Sequence, residues 1–337
     1  MTMEEIEAAC DASLPLKYAR HSHEVPELSH CEMFFPLGFP TELRTNSPEI
    51  LSQARDLWPI REKQFDTEPI RVDVHVLESD STECPPTPVY HLMYPLSISV
   101  ADTENYSICH HDRGLTQVTI SRATMRHTSY LGYFFLQFAA HPHIETRYTV
   151  PVHAGCVARN GRGVMLCGDS GAGKSTLSYA CAKAGWTYVT DDGSYLVHAL
   201  EKLTVVGNCF QVRFRPSAAS LFPEIEGREV VQRAGIGKPS IELKSLGTTG
   251  IKYSQSAEVH HLVMLNRRGD ANEGLRPYSA DVARRYLRQG RFAPLDRMPS
   301  HYAMIDRILE RGVYELRYRD LDWAIEQLQA LAEGAHR

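Results

Sequence analysis

The chain has 337 residues, a net charge of −5 and 23% charged residues, values typical of a folded protein of one or two domains. This slight acidity gives no electrostatic basis for binding nucleic acid or an anionic membrane surface. The most apolar stretch, Tyr133–Ala140, is far shorter than the roughly 20 residues that a membrane span needs. We therefore expect no nucleic acid and no membrane among the partners.

Cysteine usage and the N-terminus both favour a cytoplasmic protein. The eight cysteines include no Cys-x-x-Cys pair, and Cys167 and Cys181 lie in apolar stretches where a reduced cysteine packs well. The acidic N-terminus lacks the basic start and apolar run of a signal peptide. The segments His21–Cys31 and Cys109–His111 lack zinc-ligand spacing, so we interpret their histidines as surface residues.

In chain order, the first periodic segment is Ser47–Trp58, which predicts a helix with Ser47 as its N-cap and Pro48 at its first position. Alternating valines predict a strand over Ile70–Leu77. Antiparallel strands are predicted to follow at 90–100, 106–110 and 115–120. Residues 1–125 are therefore expected to form a smaller N-terminal α+β domain that selects the substrate.

Beyond this region the pattern changes. Thr128–His141 is strongly apolar and predicts a helix buried in a core or between domains. Strands and helices then alternate as in an α/β domain, which we place at residues 126–337, with a boundary anywhere between 120 and 150. The predicted strands are 150–158, 163–167, 186–190, 259–265 and 313–317, and the predicted helices are 174–184, 280–288, 301–311 and 321–332.

One motif carries most of the chemistry. Gly168–Ser175, read as GDSGAGKS, follows the pattern G-x-x-x-x-G-K-[ST] between an apolar strand and a helix. Glycines let successive N–H groups turn towards phosphate oxygens, Lys174 adds a compact positive charge, and the Ser175 hydroxyl can ligate Mg²⁺. The predicted nucleotide-binding residues are Gly168, Asp169, Ser170, Gly171, Ala172, Gly173, Lys174, Ser175 and Thr176.

Two adjacent carboxylates, Asp191 and Asp192, end the next predicted strand. The 17 residues from Lys174 to Asp191 allow one helix and a return strand. Parallel neighbours in a sheet end at the same edge, so the pair should lie near the phosphate loop. One carboxylate could hold Mg²⁺ and the other accept a proton from an attacking hydroxyl, while a solvated turn is the alternative.

A predicted β-hairpin determines the position of His153. Asn160-Gly161 lies between two apolar runs, which is a strong signal for a two-residue turn. Such a turn brings His153 opposite Gly168, where an imidazole could meet a phosphate or orient a carboxylate. A longer loop would shift this pairing, and a histidine satisfied within its strand is the alternative.

Arginines could neutralise charge that develops on a transferring phosphoryl group. Arg213 and Arg215 lie two residues apart on a predicted strand, so both could point to one face, although a solvated face is favoured. Arg267 and Arg268 at a strand end are candidates for the same role, and a solvated face is again the favoured alternative.

The chain resembles the HPr kinase/phosphorylase family, whose nucleotide-binding fold is related to phosphoenolpyruvate carboxykinase. The resemblance rests on Val152–Ala154, Gly163–Ser175 and Thr190–Asp192 in matching order and spacing, over roughly residues 150–195. It implies an α/β P-loop nucleotide domain of this type and ATP-dependent phosphorylation of a hydroxyl.

The resemblance also implies roles for individual residues. Asp191 would be the acid/base group, His153 would lie near the phosphates, and Lys174 would bind phosphate. Ser175 and Asp192 would hold Mg²⁺. Members of this family are often oligomers, so a second copy of the chain joins the candidate partners.

The resulting hypothesis is a kinase that uses ATP and Mg²⁺ and takes Asp191, His153 and Lys174 as catalytic residues. The acceptor is an unidentified hydroxyl, most simply a serine in a protein or peptide, with a small-molecule hydroxyl as the alternative. A non-catalytic ATP-responsive regulator and a carboxykinase-like enzyme acting on a small acid are the other readings of the same motifs.

Overall fold

The computed structural model describes residues 2–12, 26–198, 200–231, 238–244, 250–267, 272–289, 294 and 296–334. These residues form a mixed α/β architecture with three β-sheets. The mixed α/β class that the sequence predicts is confirmed at this level. Within the described ranges, no helix combines the length and the apolar character that crossing a membrane requires.

Most helices agree closely with the periodic segments of the sequence, but the first helix, Met3–Asp11, was not predicted. The helix predicted at 301–311 begins earlier, at Met298, with Pro299 in its first turn where a missing N–H costs nothing. A π-helical segment, Gly132–Gln137, joins the third helix to the fourth. The α-helices of the described chain are α1 Met3–Asp11, α2 Pro48–Leu57, α3 Thr128–Leu131, α4 Phe138–Arg147, α5 Lys174–Lys183, α6 Ala280–Arg288, α7 Met298–Leu309 and α8 Leu321–Ala332.

The first sheet has seven strands in the order β1-β2-β3-β7-β6-β5-β4. The strands are β1 His30–Phe34, β2 Thr41–Thr45, β3 Ile70–Leu77, β4 Val89–Met93, β5 Leu96–Val100, β6 Tyr106–His110 and β7 Leu115–Ser121.

Two expectations for this sheet were wrong. The strand predicted at 90–100 is a hairpin of two strands, because Pro95 has no N–H to continue the ladder. The strands are also not all antiparallel, since β3 pairs in parallel with both β2 and β7. Period-two patterns give the same signal for either direction, so the sequence could not distinguish them.

The aromatic segment 128–147 contributes to the core of the first sheet. Its Phe134 and Phe135 are buried in one cluster with Phe34 and Val74 of that sheet. The helical segment continues through α4, beyond its predicted end. Two buried valines of later strands join the same cluster, so the cores of the first and second sheets are continuous. The domain boundary stays a prediction.

The second sheet has nine strands and a third has three. The path β16-β10-β8-β11-β12-β17-β19-β18 is completed by β9, which pairs with both β8 and β17, and the small sheet has the order β13-β15-β14. The strands are β8 Thr149–Arg159, β9 Arg162–Cys167, β10 Thr187–Thr190, β11 Gly193–Val197, β12 Thr204–Gly207, β13 Gln211–Phe214, β14 Val230–Val231, β15 Ser240–Lys244, β16 Lys252–Tyr253, β17 Ser256–Asn266, β18 Gly274–Pro277 and β19 Val313–Arg317.

The β8–β9 hairpin turns through the predicted Asn-Gly loop. Both loop residues have positive φ, +50° for Asn160 and +78° for Gly161, as a type I′ turn requires. The register begins at the pair Arg159–Arg162 and runs without a shift towards the end of β9. The two-residue loop that the sequence predicts is confirmed.

Strands β9 and β10 are not neighbours, contrary to the expectation, because β8 lies between them. Both are antiparallel to β8, so they run in the same direction. Their carboxyl ends therefore still reach the same edge of the sheet. The predicted phosphate loop follows β9 at this edge, and the aspartate pair follows β10.

Helix α5 packs against β8 where Gly155 offers no side chain. A Cβ atom at Gly155 would lie 2.5 Å from Ser178 Oγ and 3.2 Å from the Asp191 carbonyl oxygen. Ser178 Oγ is buried and has no hydrogen-bond partner among the described residues. The close approach of helix and sheet therefore depends on this glycine.

We predict that Gly155→Ala lowers the free energy of unfolding by about 1–3 kcal/mol, because the added methyl group overpacks this contact. Ser178→Ala alone should be nearly neutral, since its hydroxyl makes no bond, and combined with Gly155→Ala it should recover part of the loss. Urea unfolding of the four proteins measures this coupling. Additive effects of the two substitutions would contradict the proposed contact.

Candidate functional site

A cleft of about 680 Å³ opens at the edge where β9 and β10 end. We call it the loop cleft. It collects the predicted phosphate loop, the aspartate pair and several cations from distant segments. Its lining includes Tyr133, His153, Ser170, Gly171, Gly173, Lys174, Ser175, Thr176, Asp191, Asp192, Arg213, Arg215, Lys238 and Arg267.

The glycine loop adopts backbone conformations that most residues avoid. Gly171 and Gly173 have φ of +91° and +98°, in the left-handed region that favours glycine. A Cβ atom at Gly173 would lie 2.4 Å from the Tyr318 hydroxyl oxygen. That hydroxyl donates a hydrogen bond to the Ala172 carbonyl oxygen at 3.3 Å. Tyr318 therefore packs on the loop directly before α5 begins.

Lys174 is the first residue of α5, and its side chain turns back over the loop. Its Nζ donates to the Gly168 carbonyl oxygen at 2.8 Å and approaches the Asp169 carbonyl oxygen at 3.5 Å. Only 6% of the residue is exposed, and burial lowers the pKa of its ammonium group. A buried ammonium held by neutral carbonyl groups can exchange them for an anionic partner at little cost.

The two aspartates lie in the bend between β10 and β11 and face different surroundings. Asp191 is 6% exposed, and its Oδ1 and Oδ2 accept hydrogen bonds from the Tyr188 hydroxyl at 3.0 Å and the Arg213 amide at 3.2 Å. The Asp192 side chain is 60% exposed, and its Oδ1 lies 3.2 Å from His153 Nδ1. One carboxyl group is therefore buried, and the other is open to the cleft.

Burial raises the pKa of Asp191 to about 6. Hydrogen bonds from the Arg213 amide, the Ser175 hydroxyl and Tyr188 oppose this increase, while the charge of Asp192 adds to it. The carboxyl group can therefore gain and lose a proton close to neutral pH. This is the range in which a general base is effective.

His153 lies within β8 and lines the loop cleft, next to the final β8–β9 pair Ala154–Cys167, whose register is the one that the sequence predicts. Its backbone pairs with Gly193 of the neighbouring strand β11. Burial lowers the pKa of the imidazole, with Asp192 raising it and Lys174 lowering it. The imidazole therefore contacts the exposed carboxylate rather than the buried one.

Cations surround the mouth of the loop. Arg215 Nη2 and Lys238 Nζ lie 2.7 Å and 3.1 Å from Ser170 Oγ. Arg213, which was considered with Arg215 for neutralising phosphoryl charge, instead donates a hydrogen bond to the Glu242 carboxylate at 2.6 Å. The carboxylate partly neutralises its charge. The Arg267 guanidinium lies 5.4 Å from the centre of the Tyr318 ring. Arg268 lies outside the described residues.

Sequence reasoning missed Tyr133, Tyr188, Lys238 and Tyr318 of this site. Tyr188 gave a weak signal, since it lies on the strand that directly precedes Asp191. Lys238 and Tyr318 gave none, because they reach the loop from segments far along the chain.

A cluster outside the loop cleft corrects the interpretation of surface histidines. Cys109, His111 and His143 are all buried. Cys109 Sγ lies 3.2 Å from His143 Nε2 and 3.8 Å from His111 Nδ1. The ligand atoms lie within 4.8 Å of one another, a spacing that a metal ion could bridge. Of the other predicted surface group, His21 and His23 lie outside the described residues.

Hydroxyl groups already engage three of the four imidazole nitrogens of this cluster. Thr116 Oγ1 donates to a backbone carbonyl oxygen and so accepts from His143 Nε2 at 2.9 Å. In the same way Thr146 Oγ1 accepts from His111 Nδ1 at 3.1 Å, and the Ser97 hydroxyl donates to His111 Nε2 at 2.7 Å. Hydrogen bonding therefore accounts for the arrangement without a metal ion.

Comparisons with known proteins add little. No family model and no curated protein matches the chain. Among solved structures, the chain is similar to the Hpr(Ser) kinase/phosphatase from Coxiella burnetii, with 19% sequence identity and a TM-score of 0.30 over 56% of this chain and 95% of that chain. We therefore assign the chemistry of the cleft from the contacts of the residues themselves.

The raised pKa of Asp191 predicts a pH-dependent stability. Between about pH 4 and pH 6 the folded state binds this proton more tightly than the unfolded chain, so the free energy of unfolding should fall as the pH rises. Relative to Asp191→Asn, the free energy of unfolding of the wild-type protein should fall by up to about 3 kcal/mol as the pH rises across this window. Urea unfolding at a series of pH values measures it. Glu326→Gln, which removes an exposed carboxylate of α8, is the control and should keep the wild-type slope; parallel curves for wild type and Asp191→Asn would refute the shift.

Proposed function

We propose that this chain is an ATP-dependent kinase that transfers the γ-phosphoryl group to a hydroxyl. The observation that carries the proposal is the meeting of Lys174 and Asp191 in one cleft. A buried ammonium group on a glycine loop stands there beside a buried carboxyl group whose pKa is about 6. Phosphoryl transfer needs positive charge at the phosphates and a proton acceptor at the incoming hydroxyl.

The loop suits the phosphates of ATP. Gly171 and Gly173 free the backbone to turn its N–H groups inwards, and the N-terminus of α5 adds a favourable dipole. Lys174 would leave the Gly168 carbonyl oxygen and bind a phosphate oxygen instead. Arg215 and Lys238 bring two further positive charges to Ser170 in the same loop.

Mg²⁺ fits the donor atoms of the cleft, because it prefers hard oxygen ligands. The Ser175 hydroxyl and the exposed Asp192 carboxylate both line the cleft and would hold the ion. When bound there, Mg²⁺ would neutralise part of the phosphate charge. His153, 3.2 Å from Asp192, would keep that carboxylate in place.

Asp191 is the proposed base. The Tyr188 hydroxyl and the Arg213 amide fix its two oxygens, so the carboxylate is held in one orientation. Above about pH 6 it is ionised and can accept the proton of an attacking hydroxyl. The charge on Arg213 is directed to Glu242, which leaves Arg215 as the arginine better placed to offset charge on the phosphoryl group.

One observation favours an exchange of the two aspartate roles. The Ser175 hydroxyl lowers the pKa of Asp191 through a hydrogen bond, so a metal ion on Ser175 would also be near Asp191. A carboxylate beside Mg²⁺ loses its basicity, and Asp192 with His153 would then act on the acceptor. A magnesium titration distinguishes the two assignments.

Lys174→Ala should weaken ATP–Mg²⁺ binding about 10-fold or more, because a hydrogen bond to a charged group contributes about 1.5–3 kcal/mol. Calorimetry with purified protein measures the affinity. Lys183→Ala is the matched control, since it removes the same charge from the far end of α5, and it should leave the affinity unchanged. Equal affinities in all three proteins would remove the basis of the proposal.

The transfer reaction itself is tested with γ-labelled ATP and fractionated host lysate. Asp191→Asn should lower labelling about 10²–10⁴-fold, the usual scale for acid–base catalysis, and added Mg²⁺ should not restore it. Asp192→Asn should raise the Mg²⁺ concentration needed for half-maximal labelling, with recovery at high Mg²⁺. Rescue of Asp191→Asn by Mg²⁺ would support the exchanged assignment, and wild-type behaviour of both variants would show that the pair is only a turn.

A further inference from the structure

A second cleft, of about 540 Å³, adjoins the loop cleft, and Tyr133 lines both. We call it the aromatic cleft. Tyr133 belongs to the π-helical segment Gly132–Gln137, a local distortion that often marks functional positions in helices. Its lining includes Tyr90, Tyr94, Tyr133, Phe138 and Glu145.

Aromatic rings form the walls of this cleft. The Tyr90 and Phe138 rings lie 5.2 Å apart, and Tyr94 stacks on His111 at 5.8 Å. Tyr90 and Tyr94 remain partly exposed, so their faces are open to a bound group. Tyrosine and phenylalanine faces attract cations through their ring electrons.

Glu145 supplies the charge of the cleft. It makes no hydrogen bond or ion pair with the described residues, although burial raises the pKa of its carboxyl group to about 7. Burial also lowers the pKa of His141 to about 4 and that of His111, so these two imidazoles line the cleft without charge. Arg297 bonds the Thr146 carbonyl oxygen and does not line the cleft. Among the described residues the carboxyl group therefore has no positive partner, and a cationic ligand could provide one.

The strand beside the cleft is also open. β4 forms an edge of the first sheet and contributes Tyr90 and Leu92 to the cleft. All of its residues are exposed, including the apolar side chains of Val89 and Met93. An exposed apolar edge strand is a template on which an extended peptide can add a further strand.

We propose that the β4 edge and the aromatic cleft bind an extended peptide segment with a lysine or arginine side chain, whose cationic head reaches Glu145 between the rings of Tyr90, Tyr94 and Phe138. An exposed edge strand offers a backbone ladder that a small amine could not use, so the occupant is a peptide. In so far as this peptide is the phosphate acceptor, the inference rests on the proposed function. Tyr133 then joins the cleft that recognises the peptide to the cleft that binds ATP.

The test uses full-length protein without nucleotide and an array of heptapeptide pairs that differ only by lysine or norleucine at the centre. Norleucine keeps most of the aliphatic chain and removes the ammonium group. The best lysine peptides, remeasured by fluorescence anisotropy, should bind about 3- to 30-fold more tightly than their norleucine partners. Glu145→Gln should abolish this preference, and Tyr90→Leu should reduce it.

Glu326→Gln is the matched control, because it removes a carboxylate from the exposed side of α8 and lines neither cleft. It should keep the full preference, and each variant should retain a single cooperative thermal unfolding transition. The absence of a lysine preference, or its persistence in Glu145→Gln, would overturn the inference. Saturation of the site by n-butylammonium with no peptide binding would overturn the peptide as occupant.

ATP binding, measured separately, distinguishes this inference from the proposed function. A lysine preference without any ATP binding would remove the kinase proposal and leave the peptide site. ATP binding and transfer without a lysine preference would remove the peptide site and leave the kinase proposal. Lys174→Ala, which should lose ATP affinity, should retain the lysine preference, because Lys174 does not line the aromatic cleft.

Discussion

The site depends on the direction of three neighbouring strands. β8 is antiparallel to both β9 and β10, so the strands on either side of it end at one edge of the sheet. The glycine loop and the aspartate pair meet there for that reason alone. Gly155, in the middle of β8, lets α5 approach closely enough to hold the loop beside the Asp191 backbone. A side chain at this position would separate the two halves of the cleft.

The same edge gives two adjacent carboxyl groups opposite properties. Asp191 points into the protein, where Tyr188 and the Arg213 amide satisfy its oxygens but the loss of water raises its pKa. Asp192 points outwards to solvent and His153. Neighbouring carboxyl groups whose surroundings give them different pKa values are typical of sites that transfer protons. Here the pair lies in the bend between β10 and β11, where one side chain turns into the protein and the next turns to solvent.

The first sheet contributes to this site through one helical segment. Phe134 and Phe135 anchor the π-helical segment in the core of the first sheet, while Tyr133 beside them faces both clefts. A rigid apolar anchor therefore positions the wall that the two clefts share. Whatever the β4 edge and Glu145 bind would therefore lie next to the loop cleft.

Features set by short-range forces were predictable from the sequence alone. The Asn160-Gly161 turn and the helix at Leu321–Ala332 depend on backbone sterics, side-chain spacing and capping within a few residues, and each appears where the pattern predicts it. The parallel pairing of β3, the position of β8 between β9 and β10, and the approach of Lys238 to Ser170 were decided only by the tertiary structure. So were the burial of Asp191 and the position of the Glu145 carboxyl group in the aromatic cleft. These properties depend on which distant segments exclude water from a group, and a local pattern contains no information about that.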